Sequence, residues 1–430
     1  MKETLVIVFE DEHYSFLNPI ALSHPVYNIL AGTKTNYQRI EHYFNEYQIA
    51  TVCREYLAPV YGSLTKESLD SSLHKTDTKV VLVNGRIALF QKDIEFITEL
   101  KNCTDFTSFN IGNTLAAAVI PSSFIRELTG LIISLHNEGT SLAIKDISNK
   151  NIDVELELFN YIWESMPRNQ RFIESDFNEY YKDNQTANSI GDSYLYNNNA
   201  IANGSNISAD AASVIDARSG PVIIESGVEI KPFCYLEGPA YIGNECKLVG
   251  GKITGGCSFG PGCRIGGEVE NSIVIGNSNK YHEGFLGHAY LGEWVNLGAL
   301  TTNSDLKNNY SEISVKLNGK VTKTGSNKIG SFIGDHSKTG IGTTLNTGIV
   351  IGCMSNLFGG SLIVEKEIPS YAWGNDALRH EYSLAKALDT AWIVLERREQ
   401  VFDVNQKKMF DYIYADTKEA RQKWLIGKRR

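Results

Sequence analysis

One histidine stands in a segment whose residue types could support proton transfer. His282 lies in the block SNKYHEGFLGHAYLGEWVNLGALTTNSDLKNNY, residues 278–310. Histidine changes its charge near neutral pH, so His282 is a candidate general base for a reaction in which an amine must lose a proton. The polar residues on both sides of His282 leave a second interpretation open, in which it is an ordinary histidine of a surface loop.

Around this block, one inward-facing anchor recurs at every sixth position. A period of six fits neither an amphipathic helix, with its period of about 3.6 residues, nor a strand with alternating side chains. It predicts a solenoid whose coils have three flat faces, each with one side chain pointing inward. The alternative is an antiparallel β sandwich rich in glycine turns. With one slip after Leu248, the spacing runs through Ile224, Ile230, Leu236, Ile242, Leu248, Ile253, Phe259 and Ile265, and later through Ile333, Thr339, Leu345, Ile351, Leu357 and Ile363.

The composition changes along the chain and predicts four parts. The first has continuous apolar runs at Leu5–Phe9 and Val80–Val83, which are typical of strands buried on both faces of a parallel sheet. A helix is expected over Val154–Met166, ended by Pro167. The second part is rich in Asn and Ser and predicts a linker or a loosely ordered crossing. The four parts are an α/β domain at 1–180, the linker at 181–213, the repeats at 214–372 and a helical tail at 373–430.

Length, charge and cysteine usage exclude several classes of protein. The chain has 430 residues, 42% of them hydrophobic, and its length predicts two or three globular domains. A net charge of −9 argues against a nucleic-acid partner, although a local basic pocket for a phosphate stays open. No apolar run reaches about 18 residues, so no membrane partner is expected, and the start indicates a first strand rather than a secretory signal. The seven Cys contain no CxxC pair and predict a reducing cytoplasm.

The block around His282 resembles the acetyltransferase half of the bifunctional N-acetylglucosamine-1-phosphate uridylyltransferase/glucosamine-1-phosphate N-acetyltransferase family. The motifs SNK-x-H-x-GFLG, LGEW-x-NLGA, SDLKNNY and GDHSKTGI-x-T-x-NTG carry the resemblance, and the whole chain looks like a variant branch. This implies an α/β nucleotidyltransferase-like (Rossmann-like) domain, then a left-handed parallel β-helix of hexapeptide repeats and a C-terminal helical tail. It also implies a homotrimer, acetyl-CoA as the acyl donor, and a small-molecule amino sugar or sugar nucleotide as the acceptor.

The resemblance assigns roles to three residues of the catalytic segment. His282 lies four residues before Leu286-Gly287, which is the offset of the family's catalytic base. Ala299 matches the position whose backbone N–H stabilises the oxyanion, and Asn296 matches the Asn that holds the sugar or the amine.

Further positions are expected to contact the substrates. His288 replaces an acid or a small polar residue of the family and would support the site from outside. His336 would either orient a partner or line the pocket of a neighbouring subunit. For the glycines near the coenzyme positions, a purely structural role at the solenoid's corners is the alternative. The expected acceptor contacts are Arg264, Lys280, Phe285, Asn303 and His336, and the expected coenzyme A contacts are Lys338, Thr339, Asn346 and Ser355.

Two segments depart from the family pattern. GGEVENSIVIG has Glu, Asn and Ser where a phosphate-binding Lys is expected, so the acceptor is expected to be a different amino sugar, such as one carrying a nucleotide. The amino-terminal FEDEHYSFLNPIALSHPVYNILAG keeps His24-Pro25, but it lacks the glycine-rich loop and has Val26 in place of Lys. Arg86 occupies the place of the family's metal-binding Asp. Either Glu10, Asp11, His24 and Arg86 act in altered roles, or the domain binds a sugar nucleotide without converting it.

Three functions follow from these patterns. The first is acyl-CoA-dependent N-acetyl transfer to an amino sugar phosphate or sugar nucleotide. The second is sugar-1-phosphate nucleotidyl transfer in the amino-terminal domain, which would use UTP or dTTP and need Mg²⁺ on carboxylates. The third, from a different class, is a non-catalytic, trimeric scaffold that binds a sugar nucleotide.

Overall fold

A computed structural model describes residues 4–73, 79–182 and 189–427. The chain forms two compact units. The first contains the residues through Leu17, His24–Ile29 and Lys34–Asn160, and the second contains Asn18–Ser23, Leu30–Thr33 and the chain from Tyr161 onward. The division at Asn160 comes before residue 180, where the composition predicts the end of the first domain.

Short strands and helices alternate through residues 4–182. The helices are α1 (Asn36–Tyr43), α2 (Ala58–Tyr61), α3 (Lys66–Leu73), α4 (Ile94–Asn102), α5 (Ser122–Ile133), α6 (Thr140–Ile147) and α7 (Ser165–Asp176). The strands are β1 (Leu5–Phe9), β2 (Leu30–Ala31), β3 (Lys34–Thr35), β4 (Gln48–Val52), β5 (Lys79–Asn84), β6 (Ile87–Ala88), β7 (Thr107–Ile111), β8 (Thr114–Pro121), β9 (Lys150–Asp153) and β10 (Glu157–Leu158).

The first unit is built on a mixed six-stranded sheet in the order β4–β1–β5–β8–β7–β9. Strand β1 pairs in parallel with β4 and β5, and its last residue, Phe9, lies between Val52 and Asn84. All five residues of β1 are buried, as the continuous apolar run predicts. The carboxyl ends of these three parallel strands therefore lie side by side, the position at which α/β sheets place their ligands.

The prediction of a helix over Val154–Met166 is wrong. The chain there forms β10 and a short 3-10 turn at Ile162–Glu164, and α7 starts only at Ser165. Pro167 lies in the first turn of α7, where its missing N–H removes no intrahelical hydrogen bond. The proline therefore marks the beginning of a helix rather than its end.

Residues 189–427 contain 28 strands and three α-helices within the described chain. The helices are α8 (Leu384–Glu396), α9 (Val404–Asp416) and α10 (Lys418–Ile426). The strands are β11 (Tyr194–Tyr196), β12 (Ile201–Asn203), β13 (Ser208–Ala209), β14 (Val214–Asp216), β15 (Val222–Ile224), β16 (Glu229–Ile230), β17 (Cys234–Glu237), β18 (Ala240–Ile242), β19 (Lys247–Thr254), β20 (Cys257–Phe259), β21 (Arg264–Glu270), β22 (Ile273–Gly276), β23 (Asn279–Lys280), β24 (Phe285–Gly287), β25 (Tyr290–Glu293), β26 (Asn296–Leu297), β27 (Thr302–Asn303), β28 (Ser314–Leu317), β29 (Lys320–Lys323), β30 (Ser331–Ile333), β31 (Lys338–Thr339), β32 (Thr344–Leu345), β33 (Ile349–Ile351), β34 (Asn356–Leu357), β35 (Leu362–Ile363), β36 (Glu367–Ile368), β37 (Ala372–Gly374) and β38 (Arg379–Glu381).

All of these strands except β28, β29 and β38 stack in parallel as a β-solenoid with three faces. Face A is the ladder β12–β15–β18–β20–β22–β25–β30–β33–β36. Face B includes β13, β16, β23, β26, β31, β34 and β37, and face C includes β11, β14, β17, β24, β27, β32 and β35. Strands β19 and β21 bend across the corner between faces B and C and contribute to both. The slip in the spacing falls on β19, where the register shifts between Leu248 and Gly251.

The interior of the solenoid confirms the prediction from the six-residue spacing. All the anchors of the two series are buried, and Thr339 is the most exposed of them at 7%. All of them except Thr339 form one apolar cluster with the other inward residues of the three faces, and this cluster also includes Trp424 of α10. The three-faced solenoid, and not the sandwich, is therefore the fold of this region.

The coils begin inside the segment predicted as a linker. Strands β11 and β12 already pair in parallel with β14 and β15, within residues that the Asn- and Ser-rich composition set apart. Part of the predicted linker, residues 183–188, lies outside the described residues. The chain between face C and face A carries the largest insertion, residues 304–330, which contains the antiparallel hairpin β28–β29.

Candidate functional site

The corner between faces B and C, called here the B–C corner, carries the turn of His282. That turn connects β23 to β24, and the next coil places the turn 298–301 directly against it. Leu300 N–H donates to the Glu283 carbonyl (2.8 Å), and Gly342 N–H of the following coil donates to the Ala299 carbonyl (2.8 Å). Hydrogen bonds between the turns thus bring His282 and Ala299 into successive layers of the B–C corner.

His282 itself is exposed, and its ring contacts Tyr281 edge-on with the centroids 5.2 Å apart. Gly284 lets the two turns approach, since a Cβ at this position would lie 2.2 Å from the Thr301 carbonyl oxygen. Its φ of +126° is also disfavoured for residues with side chains. The histidine is therefore presented to solvent by a turn whose backbone is held closely against the next coil.

Lys280 points into the solenoid. It is one of two polar residues, with Thr339, that occupy inward positions on face B. It pairs in register with Ile265 and is only 2% exposed. Its Nζ donates to the carbonyl oxygens of Gly266 (2.9 Å) and His282 (2.5 Å). Burial lowers the pKa of Lys280 to about 8. The ammonium that is expected to contact the substrate thus makes internal hydrogen bonds here, one of which holds the backbone of His282.

Asn296 and Ala299 have groups free for a ligand. Asn296 is exposed, and its Oδ1 accepts a hydrogen bond from Asn279 Nδ2 (3.1 Å), so its own Nδ2 is left to donate. Among the described residues, no acceptor receives a hydrogen bond from the Ala299 N–H. An unpartnered N–H in the layer next to His282 is the arrangement that the proposed oxyanion donor requires.

Two arginines meet on face B below the His282 turn. Arg398 follows α8 and donates to the Gly262 carbonyl (3.1 Å) and to Asn279 Oδ1 (3.0 Å). Burial, followed by the charge of Arg264, lowers the pKa of Arg398. Arg264 Nε is buried without a hydrogen-bond acceptor among the described residues. Arg264, the expected anion contact, thus has a second guanidinium nearby, that of Arg398 from the helical tail.

Three of the predicted substrate or supporting residues are occupied by contacts within the solenoid. The Phe285 ring covers Gly287, where a Cβ would lie 2.4 Å from the ring. Asn303 is buried and exchanges both amide hydrogen bonds with the Gly287 backbone (2.8 and 2.9 Å). His288 Nδ1 lies 2.7 Å from Asp305 Oδ2. Asn303 and His288 therefore tie successive coils together at the corner between faces C and A.

His336 is also engaged within the fold. It lies at the corner between faces A and B, stacks on Trp294 with the centroids 6.2 Å apart, and meets Phe410 of α9 edge-on at 5.3 Å. Burial, and then the charge of Lys338, lowers its pKa to about 3. The ring is therefore neutral at physiological pH and packs in an aromatic cluster rather than in the B–C corner.

The predicted coenzyme contacts lie on different sides of the solenoid. Lys338 is on face B in register with Asn296, and burial lowers its pKa to about 8. Thr339 points inward and its Oγ1 lies 2.7 Å from Thr301 Oγ1. Asn346 lies beyond β32 on the way to face A, and Ser355 Oγ donates to the Pro369 carbonyl (2.9 Å). Lys338 and Thr339 are thus close to the B–C corner, whereas Asn346 and Ser355 belong to the other two corners.

The later layers of the B–C corner offer an open path for a ligand. Gly342 and Gly360 have φ of +68° and +64°, and a Cβ at either position would meet no atom within 4 Å. They follow the turn of Ala299 along the same edge, because Gly342 is hydrogen-bonded to Ala299. Small residues with empty space above them suit the close approach of an extended chain such as a pantetheine arm.

In the first unit, the four predicted nucleotide-domain residues are brought together. Glu10 follows β1, and its two carboxylate oxygens accept hydrogen bonds from Arg54 Nε (2.8 Å) and Nη2 (2.9 Å). Arg54 Nη2 also donates to the His24 carbonyl (3.1 Å), and His24 Nδ1 lies 3.0 Å from the Tyr61 hydroxyl. The Arg54 guanidinium lies 4.1 Å from the centre of the Tyr14 ring.

Asp11 is paired in the same way with Arg86. Arg86 Nε and Nη2 donate to its two oxygens (2.8 and 2.5 Å), and Asn84 Nδ2 donates to Oδ2 (2.8 Å). Both side chains of the pair are 1% exposed. Because every carboxylate oxygen of Glu10 and Asp11 already accepts from a cation, these residues do not fit a Mg²⁺ ion. Within the described residues, no group of three or more His, Cys, Asp or Glu is arranged to hold a metal.

The sequence did not identify Arg54, Asn279 and Arg398 as parts of these sites. A signal for Arg54 existed, since two acids directly after a buried strand need counter-charges at the ends of the neighbouring strands. No sequence signal pointed to Asn279 and Arg398, because Arg398 lies 119 residues after Asn279. Only the return of the tail along the solenoid brings them together.

The burial of Lys280 predicts a pH dependence of stability. Its folded-state pKa of about 8 lies below the ordinary value of 10.5, so between these pH values the unfolded chain binds more protons. The free energy of unfolding of the wild type is therefore expected to rise relative to Lys280→Met by up to about 3 kcal/mol between pH 7 and pH 10.5. Urea denaturation across this range measures the difference. The exposed Lys320→Met serves as the control, and parallel profiles for wild type and Lys280→Met would contradict the burial.

The Asp11–Arg86 pair predicts a second effect on stability. Arg86→Met leaves a buried carboxylate without its partner and is expected to lower the free energy of unfolding by about 3–5 kcal/mol. The double variant Asp11→Asn/Arg86→Met should recover part of this loss, since the amide carries no charge. Lys92→Met is the control, because its ion pair with Glu157 (3.3 Å) is on the surface and should contribute less than about 1 kcal/mol. Equal losses in the single and double variants would argue against an electrostatic origin.

None of the described helices is both long enough and apolar enough to cross a membrane.

Comparison with known proteins finds a family match for the amino-terminal part of the chain. Residues 6–185 match the family model described as sugar nucleotidyl transferase. The bifunctional sugar-1-phosphate nucleotidylyltransferase/acetyltransferase of Sulfurisphaera tokodaii is 34% identical over 155 residues, which are 34% of this chain and 37% of the relative. The bifunctional protein GlmU of Paracoccus denitrificans is 31% identical over 35% of this chain and 30% of its own length. That of Synechococcus elongatus is 32% identical over 43% and 32%, respectively.

The matched parts thus span only about a third of these relatives' length. The structure of Arabidopsis UDP-N-acetylglucosamine acyltransferase aligns with 55% of this chain and 91% of its own, at 11% identity and a TM-score of 0.24, which is too low to support an argument. Residues 6–185 of the chain therefore match the sugar nucleotidyl transferase family model and precede a β-solenoid, and the chain is similar to a protein named as a bifunctional sugar-1-phosphate nucleotidylyltransferase/acetyltransferase.

Proposed function

We propose that this protein is an acyl-CoA-dependent N-acetyltransferase whose acceptor is an amino sugar phosphate or a sugar nucleotide. The observation that carries the proposal is the layering of the B–C corner. An exposed His282, the unpartnered Ala299 N–H and the open edge at Gly342 follow one another in successive coils. A base, an oxyanion donor and a path for an acyl carrier are the three parts that acyl transfer to an amine needs.

The acceptor's phosphate would lie against face B. Arg264 has a buried Nε without an acceptor, and Arg398 lies close enough for the two charges to interact. Two guanidiniums in one place favour a phosphate, because each can donate two hydrogen bonds to its oxygens. This pair supplies the positive charge that the segment GGEVENSIVIG lacks.

The reaction then proceeds by direct transfer. The His282 imidazole takes a proton from the acceptor's amine as its nitrogen attacks the thioester carbonyl carbon. The Ala299 N–H stabilises the negative charge on the carbonyl oxygen. The carbon–sulfur bond breaks, the amide forms, and the proton on His282 passes to the departing thiolate. Lys280 keeps the turn in place by holding the His282 carbonyl.

Replacing His282 by Ala is expected to reduce acetyl transfer by about 10²-fold or more without altering the fold, since an exposed side chain is removed. Release of free thiol from acetyl-CoA, measured with a panel of amino sugars, their 1-phosphates and their UDP derivatives, tests this. His380→Ala is the matched control, because His380 is also exposed but lies in β38. A variant as active as the wild type would show that His282 is not the base, whereas tight binding of a sugar nucleotide with no turnover would favour the scaffold function.

A second candidate is sugar-1-phosphate nucleotidyl transfer in the first unit, which the family match at residues 6–185 favours. The ion pairs Glu10–Arg54 and Asp11–Arg86 favour instead a domain that binds a sugar nucleotide without converting it. We therefore expect no Mg²⁺-dependent release of pyrophosphate from UTP or dTTP with a hexose 1-phosphate. Release at a rate typical of enzymes, about 1 s⁻¹ or faster, would restore nucleotidyl transfer as the function of this domain.

The proposal includes a homotrimer and a cytoplasmic location. The trimer follows from the resemblance of the solenoid segment to the acetyltransferase family. The location is supported by the cysteines, all seven of which are free thiols.

A further inference from the structure

A cavity of about 450 Å³ lies away from the B–C corner, where the chain passes from face C to face A in the last coil. The hairpin β28–β29 supplies one wall, and Val364–Lys366 with Asp376 and Arg379 supply the other. Four cations line the cavity, namely Lys307, Lys316, Lys366 and Arg379, against two carboxylates, Glu365 and Asp376. Four positive and two negative charges leave an excess of two positive charges on its walls.

The two carboxylates are already shared by two of the cations. Lys316 lies 3.7 Å from Glu365, and Arg379 lies 3.4 Å from Glu365 and 3.7 Å from Asp376. Asp376 is further committed to the backbone, since its Oδ2 accepts from the N–H groups of Val364 (2.6 Å) and Glu365 (3.2 Å). The excess positive charge therefore belongs to Lys307 and Lys366.

Lys307 and Lys366 form no ion pair with any carboxylate of the described residues. Lys307 Nζ donates to the Glu312 carbonyl (2.6 Å), and Lys366 Nζ donates to the carbonyl and the hydroxyl of Thr347. Burial, followed by the charge of Lys307, lowers the pKa of Lys366. Two ammonium groups close to one another in a partly desolvated cavity repel, and a bound anion would remove that repulsion.

Arg379, a more deeply buried cation of the same cavity, also has a donor group without a partner. Its side chain is 9% exposed, and its Nε is buried without a hydrogen-bond acceptor. It also lines a second cavity of about 540 Å³, which shares Lys316 and Glu365 with the first. That cavity is lined by Trp424 and Ser370, and their Nε1 and Oγ atoms are also buried without partners. A buried donor without an acceptor lowers the stability of the fold unless a bound ligand supplies the acceptor.

We propose that these two adjoining cavities bind a small phosphate ester, with its phosphate between Lys307, Lys366 and Arg379 and its organic part against Ser370 and Trp424. The excess of two positive charges on the walls of the first cavity matches a phosphate dianion better than a single carboxylate. The second cavity adds Glu367, Asp416 and Glu419 against Lys423, so its walls do not suit a second anionic group. The carboxylates of the second cavity, together with its uncharged donors, suit the hydroxyl groups of an uncharged sugar or nucleoside part. This site is at a different corner from His282 and does not depend on the proposed acetyl transfer.

Calorimetric titration of the full chain with glucose 1-phosphate, AMP and inorganic phosphate tests the site, with adenosine as the uncharged control. The phosphate esters are expected to bind more tightly than inorganic phosphate, and adenosine should not bind at this site. Lys307→Met and Lys366→Met should each weaken ester binding at least about tenfold, as expected for a lost charge-assisted contact. Lys320→Met, in the same hairpin but exposed, should bind like the wild type.

Two outcomes would overturn the proposal: no ester binds, or the esters bind both lysine variants as tightly as the wild type, which would place their binding elsewhere. Equal affinity for inorganic phosphate and for the esters would refute the role of the second cavity. Lys307 lies half-buried in the insertion, so Lys307→Met should fold and keep the test decisive if Lys366→Met does not. The melting temperature of each variant without ligand reports its folding.

Discussion

Each face of the solenoid must point an anchor into the interior at every sixth position, and the rest of the second unit depends on this constraint. The coils are joined by parallel backbone hydrogen bonds, so residues at equal positions of successive coils lie above one another. An apolar anchor at every sixth position fills the interior and keeps the register of all three faces. A turn that extends from a corner is thereby held at a definite height, which makes the corners suited to carry a site.

The places where the interior departs from aliphatic residues coincide with the candidate site. On face B, Lys280 and Thr339 stand where Ile265 and Leu357 stand in neighbouring layers, and on face C Asn303 takes such a position. Each satisfies its polar groups locally: Lys280 on the turn of His282, Thr339 on Thr301, and Asn303 on Gly287. Buried polar groups that are fully hydrogen-bonded stabilise one arrangement of the backbone over others. Lys280 and Thr339 therefore position the B–C corner, and Asn303 ties successive coils together at the corner between faces C and A.

In the first unit, the buried charged groups are paired with one another. Its central parallel strand β1 is followed by two acids, Glu10 and Asp11, and each acid is neutralised by an arginine from a neighbouring strand end. Desolvating these pairs is favourable only because both oxygens of each carboxylate accept hydrogen bonds. The arrangement leaves the edge of the sheet well ordered and removes its ability to bind a cation. The two units thus differ in their charged groups, since the solenoid presents an exposed histidine, His282, and two lysines, Lys307 and Lys366, that form no ion pair within the described residues.

The amino-acid sequence by itself determined the three-faced solenoid, the parallel strands β1 and β5, and the candidacy of His282. These depend on local spacing, on continuous apolar runs and on a motif, all of which are properties of neighbouring residues. Only the tertiary structure decided that Lys280 points inward, that Asn346 and Ser355 lie at other corners, and that Pro167 begins a helix. It also decided that Arg398 reaches Asn279 and that Lys307 faces Lys366. The physical reason is that the coils bring together residues far apart in the chain, and no local pattern records which side chains then share a corner.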